Sequence, residues 1–195
     1  MHFGDIEVRF LDGGRFGLDG GAMFGVVPKV LWEKKSPPDD RNRIRMRANS
    51  LLVRAHGKNI MVETGNGTKW DSKLRGIYSV QDGDPLIDSL GRCGVAPSEI
   101  DLVINTHLHF DHCGGNTRIE GNQPVPAFPG ATYIVQSGEL GHARQPTERD
   151  RSSYSRRISS PSQGGSAGTS SPETAKSFPV YPFRASPATT QTFKP

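Results

Sequence analysis

The order of elements along this chain predicts an α/β layer fold. Three observations carry that expectation. Short runs rich in β-branched residues alternate in polarity and are bounded by Gly, Asp and Asn, as half-buried strands are. An amphipathic segment opens at Asp84-Pro85 and leads directly into a second apolar run, Ile100 to Asn105. That run ends on a stretch dense in histidine and aspartate. Helix, then strand, then a polar loop at the strand end is the arrangement of a layered α/β domain.

Ile6 to Leu11 alternates, with Ile, Val and Phe on one side, and reads as the first strand. Asp12-Gly13-Gly14 and Asp19-Gly20-Gly21 are turn signals. Met23 to Val27 is an apolar segment that suits either the core or the mouth of a site, and Ser36-Pro37-Pro38-Asp39-Asp40 reads as a loop. Arg47 to Val53 and Asn59 to Val62 read as two strands of a hairpin turning at His56-Gly57-Lys58. The second strand runs into Glu63-Thr64-Gly65, and Asp71 to Tyr78 reads as a short helix or a loop. Asp84 to Gly91 is a helix: Pro85 suits its first turn, Leu86, Ile87 and Leu90 supply the apolar face, and Gly94 ends it. Pro97 to Ile100 is a turn into the next strand. Thr132 to Gln136 is a further strand, and Glu139 to Arg144 begins a helix in which His142 reads as a surface residue.

The densest chemistry lies in Thr106-His107-Leu108-His109-Phe110-Asp111-His112-Cys113-Gly114-Gly115. In extended chain His107 and His109 point to the same side. Asp111 and His112 follow where the strand should give way to a loop, and the glycine pair permits a sharp turn beside them. A lone histidine is usually satisfied within a core. Three histidines and an aspartate bunched together leave several polar groups to satisfy in one spot. Imidazole nitrogens with a carboxylate suit a borderline-soft divalent ion such as zinc.

This stretch resembles the HxHxDH signature of the metallo-β-lactamase superfamily of metal-dependent hydrolases. Upstream, Met23 to Pro28 with Leu31-Trp32, then Asn49 to Gly65, are similar to the opening strands of its lactonase-like and organophosphate-hydrolase-like branch. Downstream, Phe128 to Ala131 and Tyr133 to Val135 are similar to the strand that follows the motif. The resemblance covers about residues 5 to 154. It implies the first half of an αββα sandwich in which His107 and His109 ligate one metal, and Asp111 and His112 a second. It further implies two zinc ions, a metal-activated water attacking a lactone, ester or phosphoester, and Asp111 as the catalytic proton carrier. Glu63 stands where the family commonly has an aspartate beside the metal site. The family uses seven ligand positions, of which this motif supplies four, so turnover is expected to be impaired. The alternative reading is a catalytically inactive half-domain that binds metal weakly or pairs with a protein partner through an exposed sheet face.

Composition bounds the rest. The chain has 195 residues and a formal charge of +4, which by itself suggests a nucleic-acid partner. From residue 152 onward, however, Arg156, Arg157, Lys176, Arg184 and Lys194 face only Glu173, so the tail holds the whole excess and the body is neutral. No basic face with interleaved aromatics appears, which argues against nucleic acid. No run is long and apolar enough for a membrane span, and no leader pattern precedes the first strand, so a cytoplasmic protein without a membrane partner is expected. Two cysteines, Cys93 and Cys113, imply no disulfide framework. The expected division is residues 1–151 as the folded half-domain and 152–195 as a serine- and proline-rich, disordered tail.

A frame change near codon 154 explains that tail more sharply than a natural linker. Read from the last base of the Tyr154 codon, permitted codon choices restore helix- and strand-like patterns. They also place Gly-His-Asn under Pro187, Ala188, Thr189 and Thr190. Resequencing the coding DNA from codon 140 past codon 195 is expected to reveal one extra base near codon 154; an intact frame would make the tail a genuine product.

Overall fold

A computed structural model describes residues 1–154 and builds them around a six-stranded mixed sheet. The elements are β1 (His2–Phe3), β2 (Ile6–Asp19), α1 (Gly20–Phe24), α2 (Lys29–Trp32), β3 (Arg43–Ala55), β4 (Lys58–Val62), α3 (Ser72–Tyr78) and α4 (Pro85–Arg92). They continue with β5 (Leu102–Ile104), α5 (Phe110–Cys113), β6 (Thr117–Glu120), β7 (Gln123–Pro126), β8 (Thr132–Ile134) and α6 (Ser137–Arg144). Sheet order is β1-β2-β3-β4-β5-β8, and β6 and β7 form a separate hairpin. β1 to β4 pair antiparallel; β4, β5 and β8 run parallel.

Both early turn signals prove to be something else. β2 does not stop at Leu11 but continues to Asp19, and its register against β3 shifts between Asp12 and Arg15. Gly13 and Gly14 therefore form a bulge rather than a turn. Gly14 has φ +107, and a Cβ at Gly13 would stand 2.9 Å from both the Ala48 carbonyl oxygen and the Gly65 Cα. At the second signal Asp19 caps α1, its Oδ1 accepting from the Ala22 amide at 2.8 Å. Met23, Val26 and Val27 are exposed, so the core reading of that segment is overturned. The hairpin turn at His56-Gly57 is as expected, with both residues at positive φ.

One face of the sheet is covered by α4. Asp84 caps it, Pro85 opens it, and Leu86 and Leu90 pack onto Leu11, Leu52, Met61, Val103 and Phe128. The helix stops at Cys93-Gly94, where Gly94 has φ +70. A second, aromatic cluster lies beside it. Phe110 meets Trp70, Phe16 and Tyr78 with ring centroids 5.4, 5.8 and 5.0 Å apart. The opposite face of the sheet is apolar and open among the described residues. Phe10, Leu51, Val62, Ile104 and Ile134 lie in register across five strands, with Val8, Val53, Ile60 and Leu102 in the next row. Phe10 is 68% exposed and the others are only half-buried.

Residues 152–154, assigned to the tail by composition, stay with the body: the Ser153 carbonyl accepts from the Phe110 amide at 2.9 Å, and Tyr154 is buried. The disordered-tail expectation otherwise lies outside the described residues.

Lys69 ties the loop after β4 to the loop after α5. Its Nζ donates to the Gly114 and Thr117 carbonyls at 3.1 and 2.9 Å and to the Thr117 hydroxyl. Burial pulls its pKa down to about 8 from the ordinary lysine value of 10.5. Between those two values the unfolded chain binds a proton that the folded chain releases. The Lys69 contribution to stability should therefore rise with pH across that window, by on the order of 3 kcal/mol. Urea unfolding followed from about pH 7 to 10 checks this, and Lys69→Met should flatten the slope.

Candidate metal centre

The site stems from the parallel pairing of β4 and β5. Their register sets Val62 beside Ile104, so both strands end at the same edge and release Glu63 next to Asn105 and Thr106. Glu63 has φ +61 and is buried. Its Oε1 accepts from the Thr106 amide at 2.9 Å, and its Oε2 accepts from Asn105 Nδ2 at 3.3 Å. The same Oε2 lies 3.5 Å from His112 Nδ1. At that distance the contact falls short of a hydrogen bond, and Nδ1 is a buried polar atom without a hydrogen-bond partner among the described residues.

The residues after β5 then fold over this carboxylate. Asp111 and His112 do not lie in a loop, as the sequence suggests, but in the short helix α5, whose first residue Phe110 is anchored in the aromatic cluster. The Thr64 amide donates to the His112 carbonyl at 2.7 Å. The glycine pair serves close packing rather than a turn. Gly114 has helical φ, and a Cβ at Gly114 or Gly115 would fall 2.3 Å from the carbonyl oxygen of Asn66 or Thr64.

The three motif imidazoles converge. The His107 ring lies 3.9 Å from that of His112 and 4.5 Å from that of His109, centroid to centroid. Asp111 Oδ2 stands 3.6 Å from His112 Nε2. Among the described residues, possible ligand atoms of Glu63, His107 and His112 lie within 4.8 Å of one another, and His109 and Asp111 stand outside that trio. Glu63, placed beside the site by resemblance, is thus one of three residues whose possible ligand atoms come together. Burial lowers the pKa of His107, and the neighbouring His112 and His109 lower it further. Burial likewise lowers His109, against the pull of Asp111 and Glu139. Burial also works against protonation of His112, but Glu63 and Asp111 outweigh it and raise its pKa. Burial would raise the Glu63 pKa; His112 and Thr106 outweigh it and lower it.

This donor set fits a divalent ion such as zinc. His107 and His109 are biased toward the neutral form that coordinates metal, and the Glu63 carboxylate faces Nδ1 of His112, as carboxylates commonly do behind metal-binding imidazoles. His107 Nδ1 lies 3.0 Å from the Thr106 hydroxyl.

Two further residues reach the motif without a sequence signal. Glu139 Oε1 accepts from the Leu108 amide at 2.8 Å and from the Tyr154 hydroxyl at 3.0 Å. The Tyr154 ring stands edge-on to His109 at 4.7 Å. His142 is half-buried, its Nε2 2.6 Å from Asp150 Oδ2.

Cys113 is a buried filler under the motif, and burial pushes its thiol up to about 12. Cys93 is only partly buried. In the folded protein iodoacetamide should modify Cys113 at least about tenfold more slowly than Cys93, because the thiolate is the reactive species. Peptide mass mapping before and after denaturation checks this; denaturant should abolish the difference.

Residues 43–175 match the family model of the metallo-beta-lactamase superfamily. Among curated relatives, the N-acyl homoserine lactonase AttM of Rhizobium johnstonii is 32% identical over 91 residues, covering 46% of this chain and 31% of that protein. The probable metallo-hydrolase MJ0296 of Methanocaldococcus jannaschii is 41% identical over 56 residues, covering 29% of this chain and 23% of that protein. Among solved structures, a probable metal-dependent hydrolase from Staphylococcus aureus superposes with TM-score 0.74 at 34% identity, covering 82% of this chain and 57% of that one. AidC, a dizinc quorum-quenching lactonase solved with its product, shares the fold with TM-score 0.58 at 23% identity, covering 77% of this chain and 48% of that one. The chain thus spans about a third of the length of AttM and about half of these structures. The family match takes in β3, β4, β5 and the His107–His112 edge that they build, and this chain belongs to the metallo-beta-lactamase superfamily.

Proposed function

We propose that this chain carries the metal-binding edge of a metal-dependent hydrolase that opens lactones, esters or phosphoesters. The observation that carries this reading is the convergence of His107, His109 and His112 with Asp111 at one end of two parallel strands. His107 and His109 would hold one zinc ion, and Asp111 and His112 a second. When bound, the metal supplies an acidified water and an electrophilic contact for a carbonyl or phosphoryl oxygen. The chain's own residues do the rest. His107 and His109 present lone pairs because burial disfavours their protonation. Glu63 faces His112 at Nδ1, which leaves Nε2 on the Asp111 side. Asp111 accepts the proton of the attacking water at a carboxylate oxygen and returns it to the leaving group.

The substrate class rests on relatives. AttM is named as an N-acyl homoserine lactonase, and AidC was solved with N-hexanoyl-homoserine as product, so acyl homoserine lactones are the first compounds to test. By resemblance the motif would supply four of the seven ligand positions that the family uses, so metal uptake is a more sensitive readout than turnover. The neutral body and the absence of a basic aromatic face support a small-molecule substrate over nucleic acid.

A second reading is a metal-binding half-domain without turnover that pairs with a protein through the open sheet face. The apolar row from Phe10 to Ile134, exposed at Phe10 and half-buried beyond it, favours it. Zinc uptake without turnover, together with a dimer or larger species in solution, is its signature.

The purified chain is expected to take up zinc and to turn over an acyl homoserine lactone, an aryl ester or an aryl phosphotriester slowly. His109→Ala should remove most of the bound zinc and lower any turnover by about 100-fold or more. Metal analysis and hydrolysis assays check both. Turnover that survives His109→Ala would overturn the assignment.

A further inference from the structure

The Leu108 amide lies between His107 and His109, and its partner comes from a distant element. Glu139, in the first turn of α6, places Oε1 2.8 Å from that amide. β8 lies beside β5 in the sheet, and α6 starts three residues after β8, so the helix emerges next to the motif. The same Oε1 accepts from the Tyr154 hydroxyl at 3.0 Å, and the Tyr154 ring stands edge-on to His109. One residue further, the Phe110 amide donates to the Ser153 carbonyl at 2.9 Å. The turn that presents Ser153 and Tyr154 is itself held by Asp150, which pairs with His142 Nε2 at 2.6 Å and accepts from Thr147 Oγ1 at 2.7 Å. The two amides that flank His109 are thus both bonded to the segment 139–154, and its ring touches Tyr154.

Glu139 is not part of the trio of possible ligands formed by Glu63, His107 and His112. Its Oε1 is occupied by the backbone amide and the phenol. A carboxylate in that position fixes the His107–Leu108 peptide plane that carries His107, and through Tyr154 it limits the rotation of the His109 ring. We propose that Glu139, acting through the Leu108 amide and Tyr154, is a positioning residue that presets the His107–His109 pair for metal. The role rests on the metal-centre reading above. It differs from a purely structural link in acting on metal affinity rather than on folding alone.

Zinc affinity of the full chain, read by competition with a chromophoric chelator, tests this, together with the visible spectrum of the cobalt(II) form and the melting temperature without metal. Glu139→Ala should weaken zinc binding about 10- to 100-fold, whereas Glu139→Gln, whose amide oxygen still accepts both bonds, should stay within about 3-fold of the parent. Tyr154→Phe keeps the ring and loses the hydroxyl; it should weaken zinc binding at least about 3-fold and shift the cobalt spectrum. This variant decides the matter if Glu139→Ala does not fold. Variants that melt lower but bind zinc with parental affinity and spectrum overturn the positioning role and leave the metal centre standing. A parent chain that takes up neither zinc nor cobalt overturns the metal centre and this role with it.

Discussion

A carboxylate taken out of water must be paired, and the pairing of Glu63 organises this structure. Its two oxygens face the Thr106 amide, the Asn105 amide group and the His112 ring, all of them in or beside the motif. An isolated carboxylate at this depth would tend to neutralise or destabilise the fold. Glu63 instead stays biased toward the charged form, and the strand end that bears it is drawn against the strand end that bears the histidines. The parallel register of β4 and β5 brings the two ends level, and closing them gives the buried carboxylate the partners that offset its desolvation.

The surroundings hold that junction from three directions. From below, Phe110 sits in an aromatic cluster with Phe16, Trp70 and Tyr78, which fixes the start of α5. From one flank, Lys69 ties the Gly114 and Thr117 carbonyls to the loop that follows Glu63. From the other flank, α6 and the segment up to Tyr154 bond the backbone on either side of His109. Packing, a half-buried lysine and backbone hydrogen bonds therefore all converge on the motif. α4 and the main core lie beneath the sheet and supply the platform.

Much of this was legible in the sequence, and the exceptions share a cause. Alternation revealed β3 and β4, and Asp84 with Pro85 revealed α4, because a local pattern governs each of them. The motif announced its own chemistry through residue type and spacing. Gly13-Gly14 misled because a bulge and a turn call for the same residue; only the partner strand distinguishes them. The β6–β7 hairpin carried a Gly121-Asn122 signal, but Pro124 and Pro126 masked the strand pattern around it. Glu139 and Tyr154 were out of reach altogether. Their partners are 31 and 45 residues away from them in sequence, at Leu108 and His109, and no periodicity links them. Composition likewise set the end of the body at residue 151, although Ser153 and Tyr154 pack against the motif.

The wall between the loop after β4 and the end of the motif is backbone against backbone. A methyl group at Gly114 or Gly115 would meet a carbonyl oxygen at 2.3 Å, with no flexible side chain there to yield. Substitutions elsewhere in a core can be absorbed when neighbours repack, but here there is nothing to repack. The opposite wall is different: apart from the Phe110–Ser153 backbone bond, Glu139 and Tyr154 reach the motif there through side chains, which leaves more room for change. A lineage exploring new metals or substrates with this scaffold would keep the glycine wall and change the residues across from it.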